Sequence, residues 1–292
     1  MTYSEKWILA ARPKTLWASI APVVVGTALA YGDGAHHWPS ALIALACAVL
    51  IQIGTNFAND YFDYEKGADT EERMGPLRVT QSGMVSPTTM KWATAVIFFF
   101  ACVGGAILTW RGGWPIAVVG LLCILSGLLY TGGPYPLGYL GLGDLFVLIF
   151  FGPVAVGGTY YVQALQLNTT VLVAGMGPGL LITAILTVNN LRDIEVDRKA
   201  GKRTLAVRFG KTFTRWEYAF LVLVGISIPP FLYLRSGQHL SSLLSLLVVL
   251  PAISTLKGVF GHAEGPSLNP VLANTARMSL LYSLLFSIGW LL

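Results

Sequence analysis

Apolar residues are concentrated in nine runs along the chain. The runs are centred near residues 20, 48, 100, 121, 152, 180, 224, 247 and 284. Each is close to the roughly 20 residues that a helix needs to cross a bilayer, and none shows the polar alternation of a strand. Because backbone groups in lipid must pair within the protein, the pattern predicts nine membrane-spanning helices and excludes a barrel.

Composition supports the same fold class. Of the 292 residues, 54 % are hydrophobic and only 11 % are charged, whereas a soluble domain has about 25 % charged residues. We therefore predict an all-α integral membrane protein with a single domain over residues 1–292. The first run includes Arg12, Pro13 and Lys14 and is longer than a signal peptide, so we expect a retained helix. Cys47, Cys102 and Cys123 lie singly inside runs, which indicates apolar helix positions rather than ligands or disulfides.

The basic residues fall almost entirely on one side of the predicted membrane. With the amino terminus inside, 17 of the 19 Lys and Arg residues are cytoplasmic, and only Arg111 and Arg235 are outside. This asymmetry places the amino terminus and the loops after spans 2, 4, 6 and 8 in the cytoplasm, and the carboxyl terminus outside. We expect a multi-pass protein of the cell inner membrane. The net charge of +5 is explained by topology, so nucleic acid is not expected as a partner.

The acidic residues form two clusters on the predicted cytoplasmic face. Nine of the fourteen acids lie after span 2 or after span 6: Asp60, Asp63, Glu65, Asp69, Glu71 and Glu72, and then Asp193, Glu195 and Asp197. Positive-inside topology gives no reason for acids to cluster there. Ionisable groups at the ends of membrane helices indicate a functional site.

Helical geometry gives each cluster a polar face. At about 100° per residue, Asn56, Asn59, Asp60 and Asp63 fall within roughly a 100° arc of one helix. In the second cluster Asn190, Asp193 and Asp197 fall within about 60° of one another, with Asn189 beside them, whereas Glu195 points elsewhere. The two helices are thus predicted to present similar sets of carboxylates and amides.

These ligand types suggest a metal and a diphosphate. Carboxylate and amide oxygens suit Mg²⁺, which is commonly held by one or two carboxylates together with substrate phosphates. Each cluster runs into a basic segment whose Lys and Arg can bind the remaining phosphate oxygens. The alternative is that each cluster is a solvated loop with helix caps and ion pairs, but two matched clusters on one membrane face favour a site.

A diphosphate site beside lipid implies a substrate with a polar head and a long apolar tail. Polyprenyl diphosphates fit this description, and loss of diphosphate would leave an allylic cation that the site must shield from water. Tyr61, Tyr64 and Tyr130 are candidates for stabilising that cation through their π faces. The alternative role for each is that of an ordinary aromatic residue at the membrane interface.

At this point the motifs resemble those of the UbiA superfamily of intramembrane aromatic prenyltransferases. Asn59, Asp60 and Asp63 match its Asn-Asp-x-x-Asp motif, and Asp193 and Asp197 match its Asp-x-x-x-Asp motif. The stretches "YTGGPYPLGYLGLGD" and "NNLRDIEVDRKAGKRTLAVRFG" are similar to the branch that acts on 1,4-dihydroxy-2-naphthoate in menaquinone synthesis. The resemblance implies a nine-helix bundle of UbiA type around a central cavity.

The resemblance also implies roles for individual residues. Two Mg²⁺ ions would be held by Asn56, Asn59, Asp60, Asp63, Asp69, Asn190 (or Asn189), Asp193 and Asp197. Diphosphate contacts would come from Lys66, Arg73, Arg78, Lys202 and Arg203. The residues expected to be catalytic are Asp60, Asp63, Asp193, Asp197 and Tyr130. Two positions depart from the wider family: Gly67 stands where a third acid is frequent, and Pro134 stands where Tyr130 would be followed by a base.

The implied reaction joins a polyprenyl group to 1,4-dihydroxy-2-naphthoate, with loss of diphosphate and CO₂, to give demethylmenaquinol. Membrane lipid is the implied surrounding, and no obligate protein partner is evident. Three alternatives remain open: transfer of a prenyl or phytyl group to another aromatic acceptor, a CDP-alcohol phosphotransferase, and a cation-coupled transporter. Against the second, Asp63 precedes Tyr64 where that motif needs Gly. Against the third, the predicted midplane is nearly free of charge.

Overall fold

The computed structural model describes residues 2–68, 75, 77–261 and 264–292. The helices in this part of the chain are α1 Tyr3–Ala11, α2 Pro13–Gly32, α3 Trp38–Glu65, α4 Pro87–Gly112, α5 Trp114–Leu129, α6 Gly143–Ile149, α7 Ala155–Ala164, α8 Thr169–Arg192, α9 Ile194–Lys199, α10 Leu205–Ser236, α11 Val249–Phe260 and α12 Asn269–Leu291. The predicted all-α fold class is confirmed.

Each of the nine predicted apolar runs is helical. Within the described ranges, eight helical segments are long and apolar enough to cross a membrane, and α5, with 16 residues, is a shorter apolar helix in the fourth position. The fifth segment, Gly143–Ala164, joins α6 to α7 through a π-helical turn at Phe150–Val154. The eighth begins as a 3₁₀ helix over Leu240–Val248 before α11.

The short helix α1 precedes the first span and was not predicted. A capping box between Thr2 and Glu5 begins it, and Arg12 ends it in the left-handed conformation, with φ 51°. The Trp7 ring lies 5.5 Å from the Phe57 ring, measured between centroids. Helix α1 therefore packs against the polar end of α3, where the first acidic cluster begins.

Helix α8 lies at the centre of the bundle. Its apolar residues Leu181 and Val188 are buried with Val222 of α10 and Tyr282 of α12 in the largest core cluster. A second cluster joins Val25 of α2 to α7, α8 and α12. Because α8 is enclosed on several sides, its end at Arg192, which the second acidic cluster directly follows, has a fixed position in the fold.

The fifth span is broken where it crosses α8. Gly152 has φ −98° and ψ −112°, outside the helical region, and Pro153 follows it. Gly179 of α8 lies directly against this break: a Cβ atom added at Gly179 would stand 2.7 Å from the Gly152 Cα and 2.9 Å from the Leu148 carbonyl oxygen. Small residues at such crossings let two membrane helices approach closely.

We expect Gly179→Ala to destabilise the protein. The added methyl meets backbone atoms that cannot rotate away, so the free energy of unfolding should fall by about 1–3 kcal/mol. Thermal unfolding of the purified protein in detergent measures this change. Gly120→Ala on α5 is the matched control, because a Cβ atom there meets nothing within 4 Å. Equal melting temperatures for the two variants would contradict the proposed close crossing.

Candidate functional site

Asp60 is buried at the end of α3 and caps the segment that follows. Its carboxylate accepts hydrogen bonds from the backbone N–H groups of Val79, at 3.2 Å, and Thr80, at 3.0 Å. An unpaired buried carboxylate is costly. The first cluster thus holds a turn over the end of α3.

Asp63 lies one helical turn further along α3 and has three polar neighbours. The Arg78 guanidinium donates to its Oδ2 at 2.8 Å, and the Tyr139 hydroxyl donates to its Oδ1 at 3.0 Å. The Lys202 ammonium lies 4.0 Å from the same Oδ1. Both Asp63 and Arg78 are buried, so this is an enclosed ion pair.

Lys202 joins the two acidic clusters. Its ammonium also lies 3.5 Å from Asp197 Oδ1, so carboxylates from the ends of α3 and α9 face one positive charge. Burial raises the pKa of Asp197 to about 6; Lys202 opposes this shift, and Asp193 and Asp63 add to it. The structure therefore brings the predicted residues Asp63, Asp197 and Lys202 together at one end of the bundle.

Tyr139 is central to this arrangement and was missed from the sequence. Its ring lies beneath two ammonium groups, 4.8 Å from Lys66 and 5.1 Å from Lys202. Of the three tyrosines in "YTGGPYPLGYLGLGD", Tyr130 is the one predicted to lie in the site, and Tyr135 is exposed. The Gly- and Pro-rich stretch marks a loop, but its sequence alone does not say which tyrosine turns inward.

Lys66, which is predicted to contact diphosphate, holds the loop after α5 in this structure. Its ammonium donates to the carbonyl oxygens of Thr131, at 2.6 Å, and Gly133, at 3.2 Å. Desolvation lowers the pKa of Lys66, Asp63 opposes this shift, and Lys202 adds to it.

Tyr130 lies in the same loop. Burial raises the pKa of its phenol, with further contributions from Asp144, Asp197 and Asp63. Tyr130 is therefore a neutral phenol beside the acids.

The predicted amide ligands have different surroundings. Asn56 donates to the Ala11 carbonyl oxygen at 2.9 Å and to Thr15 Oγ1 at 3.0 Å, so it holds the junction between α1 and α2. Asn59 accepts a hydrogen bond from the Thr131 hydroxyl at 2.8 Å. Asn190 is buried near the end of α8.

Asp193 is paired with its sequence neighbour. The Arg192 guanidinium donates to both carboxylate oxygens, from Nε at 2.7 Å and from Nη2 at 2.6 Å. Arg203 is exposed, and its backbone N–H donates to the Tyr139 carbonyl oxygen at 2.8 Å. Asp69 and Arg73 lie outside the described residues.

The donor set fits a hard divalent cation in its chemistry. Within the described residues, no three His, Cys, Asp or Glu side chains are grouped closely enough to hold a metal ion. However, the Lys202 ammonium lies between Asp63 and Asp197. One cation can therefore contact carboxylates of both clusters at this position. Oxygen-only donors of this kind suit Mg²⁺.

An apolar cavity opens beside the acids. Its volume is about 1000 Å³, and it lies between α3, α4, α5 and the α6–α7 segment. Asn59 and Tyr130 lie at the acidic end, and Thr109, Ile116 and Val162 lie at the far end. The three cysteines are free and line this cavity; Cys102 is exposed, Cys123 is intermediate and Cys47 is buried.

The sequence is similar to one protein family and to individual proteins over most of its length. The profile described as the UbiA prenyltransferase family matches residues 19–265. A 1,4-dihydroxy-2-naphthoate octaprenyltransferase of Haemophilus influenzae is 38 % identical, covering 99 % of this chain and 96 % of that protein. The Mycobacterium tuberculosis protein of the same name is 39 % identical, covering 97 % and 96 %.

Solved structures show the same fold. A UbiA homolog from Archaeoglobus fulgidus superposes with a TM-score of 0.70 at 14 % identity, covering 98 % of this chain and 99 % of that one. The same homolog bound to GPP and Mg²⁺ gives a TM-score of 0.69 at 15 % identity, with the same coverage. The apo UbiA homolog from Aeropyrum pernix K1 gives 0.69 at 14 % identity, covering 99 % of both chains.

We expect Lys202→Met to raise the affinity of the protein for a divalent cation added alone. The variant removes a positive charge within 4.0 Å of Asp63 and 3.5 Å of Asp197, and a like charge opposes cation binding. The dissociation constant for Mn²⁺, measured by electron paramagnetic resonance of the free ion, should fall at least roughly threefold. Lys257→Met on α11 is the control. An unchanged or weaker affinity in Lys202→Met would contradict a cation position between the two clusters.

Proposed function

Because the chain belongs to the UbiA prenyltransferase family, we propose that it transfers a polyprenyl group from a polyprenyl diphosphate to 1,4-dihydroxy-2-naphthoate in menaquinone biosynthesis. The observation that carries the proposal is the meeting of both acidic clusters at Lys202, beside the mouth of an apolar cavity. One end of the substrate would need charge and metal ligands, and the other would need an apolar enclosure.

The diphosphate would lie between the two clusters. Asp60, Asp63, Asp193 and Asp197, with the Asn59 and Asn190 amides, would hold two Mg²⁺ ions, which when bound neutralise diphosphate oxygens. Lys202 and Arg78 already lie within contact distance of Asp63 and would bind the remaining phosphate oxygens. The departing diphosphate would leave with the electron pair of the carbon–oxygen bond, and these cations would stabilise its charge.

The polyprenyl tail would occupy the cavity. Its wall is mostly apolar and includes small residues such as Ala48, Gly105 and Ala106, which leave room for a chain and exclude water from the cation. Tyr130, a neutral phenol at the acidic end, would face the first isoprene unit. Lipid-like substrates favour such a site because burying their apolar surface gains about 25 cal/mol per Å².

The acceptor half of the reaction needs no strong base. The naphthoate ring would attack the prenyl carbon at the position that bears the carboxylate, and the bond to that carboxylate would then break to release CO₂ and restore aromaticity. No proton has to be removed in this balance. The described histidines are consistent with it: His36 contacts Tyr31, His37 caps the far end of α3, and His239 stacks on Trp290 of α12.

The membrane orientation belongs to the same proposal. Asp63 at the end of α3 and Asp197 of α9 lie on one face of the bundle, the face on which the predicted topology places 17 of the 19 Lys and Arg residues. We therefore assign this face, with the amino terminus, to the cytoplasmic side of the inner membrane and the carboxyl terminus to the outside. Residues 1–292 would act as one domain.

The first test is turnover with defined substrates. Purified protein with Mg²⁺, a polyprenyl diphosphate and 1,4-dihydroxy-2-naphthoate should release diphosphate and CO₂ in equal amounts. Asp63→Asn or Asp197→Asn should lower the rate at least ~100-fold, because each removes a charge that would hold the departing diphosphate. Chelation of divalent metal should stop turnover. Glu195→Gln is the control, since Glu195 is exposed and pairs only with Arg198 among the contacts described.

Other outcomes would point to other functions. Turnover of a different aromatic acceptor without CO₂ release would keep the prenyl transfer and change the acceptor. Exchange of a CDP-alcohol headgroup, or solute transport with no diphosphate release, would contradict prenyl transfer. Wild-type rates in both Asp variants would contradict the metal assignment.

A second test concerns the cavity. Gly105 lines it, and an added Cβ atom there meets nothing within 4 Å. Cys47, across from Gly104, is twelve residues from Asn59, which corresponds to ~18 Å of helix. One extended amino-acid residue has three backbone bonds and spans at most ~3.6 Å. By the same measure an extended isoprene unit, with four bonds along the chain, spans roughly 4.8 Å, so about four isoprene units reach from Asn59 to the depth of Cys47.

We expect Gly105→Phe to discriminate between donors by length. The phenyl ring should fill the deep part of the cavity, so kcat/KM for an octaprenyl donor should fall at least ~10-fold, while geranyl diphosphate, with two units, should be affected little. The expected loss for the octaprenyl donor corresponds to the burial of about one apolar side chain, which is worth about 1.5–3 kcal/mol. Gly105→Ala is the control for the helix position. Equal losses for both donors would contradict this placement of the tail.

A further inference from the structure

The Arg192 side chain is buried and makes four hydrogen bonds, yet neither sequence motif includes it. Two go to the Asp193 carboxylate, at 2.7 and 2.6 Å. A third goes to the Asn189 side-chain oxygen at 2.8 Å, and a fourth goes to the Asn269 side-chain oxygen at 2.9 Å. Its exposed fraction is 5 %. A buried arginine with this many partners fixes the groups around it.

The contact between adjacent residues depends on a break in the helix. Neighbouring side chains do not face each other on a regular helix. Here α8 ends at Arg192, and Asp193 has φ −95° and ψ 8°, in the bridge region between α8 and α9. The turn brings the Asp193 carboxylate back against the guanidinium. The position of Asp193 is therefore set by Arg192 as well as by the backbone.

Asn269 ties this unit to a different part of the fold. It is the first residue of α12, which packs against α8 through Tyr282. The Arg192 guanidinium thus lies between the second acidic cluster on one side and α12 on the other. A planar group with bonds on both sides has little freedom to rotate.

We propose that Arg192 is a positioning residue that holds Asn189 and Asp193 in place for a divalent cation. The inference rests on the proposed function, because it takes Asp193 as a metal ligand. Each Asp193 oxygen accepts one hydrogen bond from Arg192 and retains a lone pair for a metal. Arg192 would touch neither the metal nor the substrate. Groups that orient metal ligands in this way commonly change metal affinity 10–100-fold when they are substituted.

The proposal predicts a direction opposite to that of simple charge. Arg192 is positive, and if it acted only through its charge, its removal would strengthen binding of a divalent cation, as expected for Lys202. If it acts by positioning, its removal weakens binding. The surroundings of the two side chains agree with these different roles. The Lys202 ammonium lies between the two acidic clusters, whereas the buried Arg192 guanidinium lies between the second cluster and Asn269 of α12.

The test measures Mn²⁺ binding to the full-length protein in detergent by electron paramagnetic resonance, without substrate. Arg192→Gln should raise the dissociation constant about 10–100-fold. Arg192→Lys keeps the charge but not the bidentate fork, and should recover only part of the affinity. Asn269→Ala, which leaves Arg192 itself in place, should weaken binding severalfold. Arg198→Gln is the matched control, because that exposed arginine pairs with Glu195.

Steady-state kinetics supply the second readout. The KM for Mg²⁺ should rise in Arg192→Gln and in Asn269→Ala, while the KM for the aromatic acceptor should stay at its wild-type value. A purely structural role would lower the melting temperature without moving the Mn²⁺ dissociation constant. Should Arg192→Gln not fold, Asn269→Ala decides the question alone.

Two results would overturn the inference: unchanged or tighter Mn²⁺ binding in folded Arg192→Gln, and full recovery of affinity by Arg192→Lys. Failure of the proposed function looks different. If wild-type protein binds Mn²⁺ but does not prenylate 1,4-dihydroxy-2-naphthoate, the acceptor assignment fails and the role of Arg192 stands on the binding data. Wild-type protein that binds no Mn²⁺ would overturn both.

Discussion

The organisation of the site depends on one constraint: carboxylates at the ends of apolar helices have to be paired once they are buried. An isolated ionised carboxylate in an apolar surrounding is strongly disfavoured. Asp60 is therefore capped by two backbone N–H groups, and Asp63 is paired with Arg78 and Tyr139. These partners come from two loops, so the same constraint folds both loops over one end of the bundle and encloses the site.

This constraint also links the two halves of the protein. Helices α3 and α8 belong to different parts of the chain. Apolar contacts are not directional, so the long apolar faces of these helices do not by themselves determine how their polar ends align. The alignment comes from Lys202, which lies near acids from both clusters, and from Tyr139, whose ring lies under two ammonium groups. A small number of polar contacts thus fixes the register of a large apolar assembly.

The sequence predicts the parts of this structure that depend on local periodicity. Apolar run lengths located the nine long apolar helical segments in the described part of the chain, and helical spacing placed Asp60 and Asp63 on one face. Contacts between distant loops have no such signal, so Tyr139 could not be told from Tyr135, and Lys66 was not expected to bind carbonyl oxygens. The pairing of Arg192 with Asp193 was missed for a related reason: it needs a break in the helix at one residue, and helix ends are poorly marked in sequence.

Arg192 and Lys202, which pair with Asp193 and Asp197, illustrate why an arginine and a lysine are not equivalent beside the second acidic cluster. Arginine offers several donors in a fixed plane, so one side chain can bind Asp193, Asn189 and Asn269 at once and hold them in register. Lysine offers a compact charge on a flexible stem, and the Lys202 ammonium lies 4.0 Å from Asp63 Oδ1 and 3.5 Å from Asp197 Oδ1. In the proposed function, Arg192 would hold the metal ligands in place, while Lys202 would bind phosphate oxygens of the diphosphate between the two clusters.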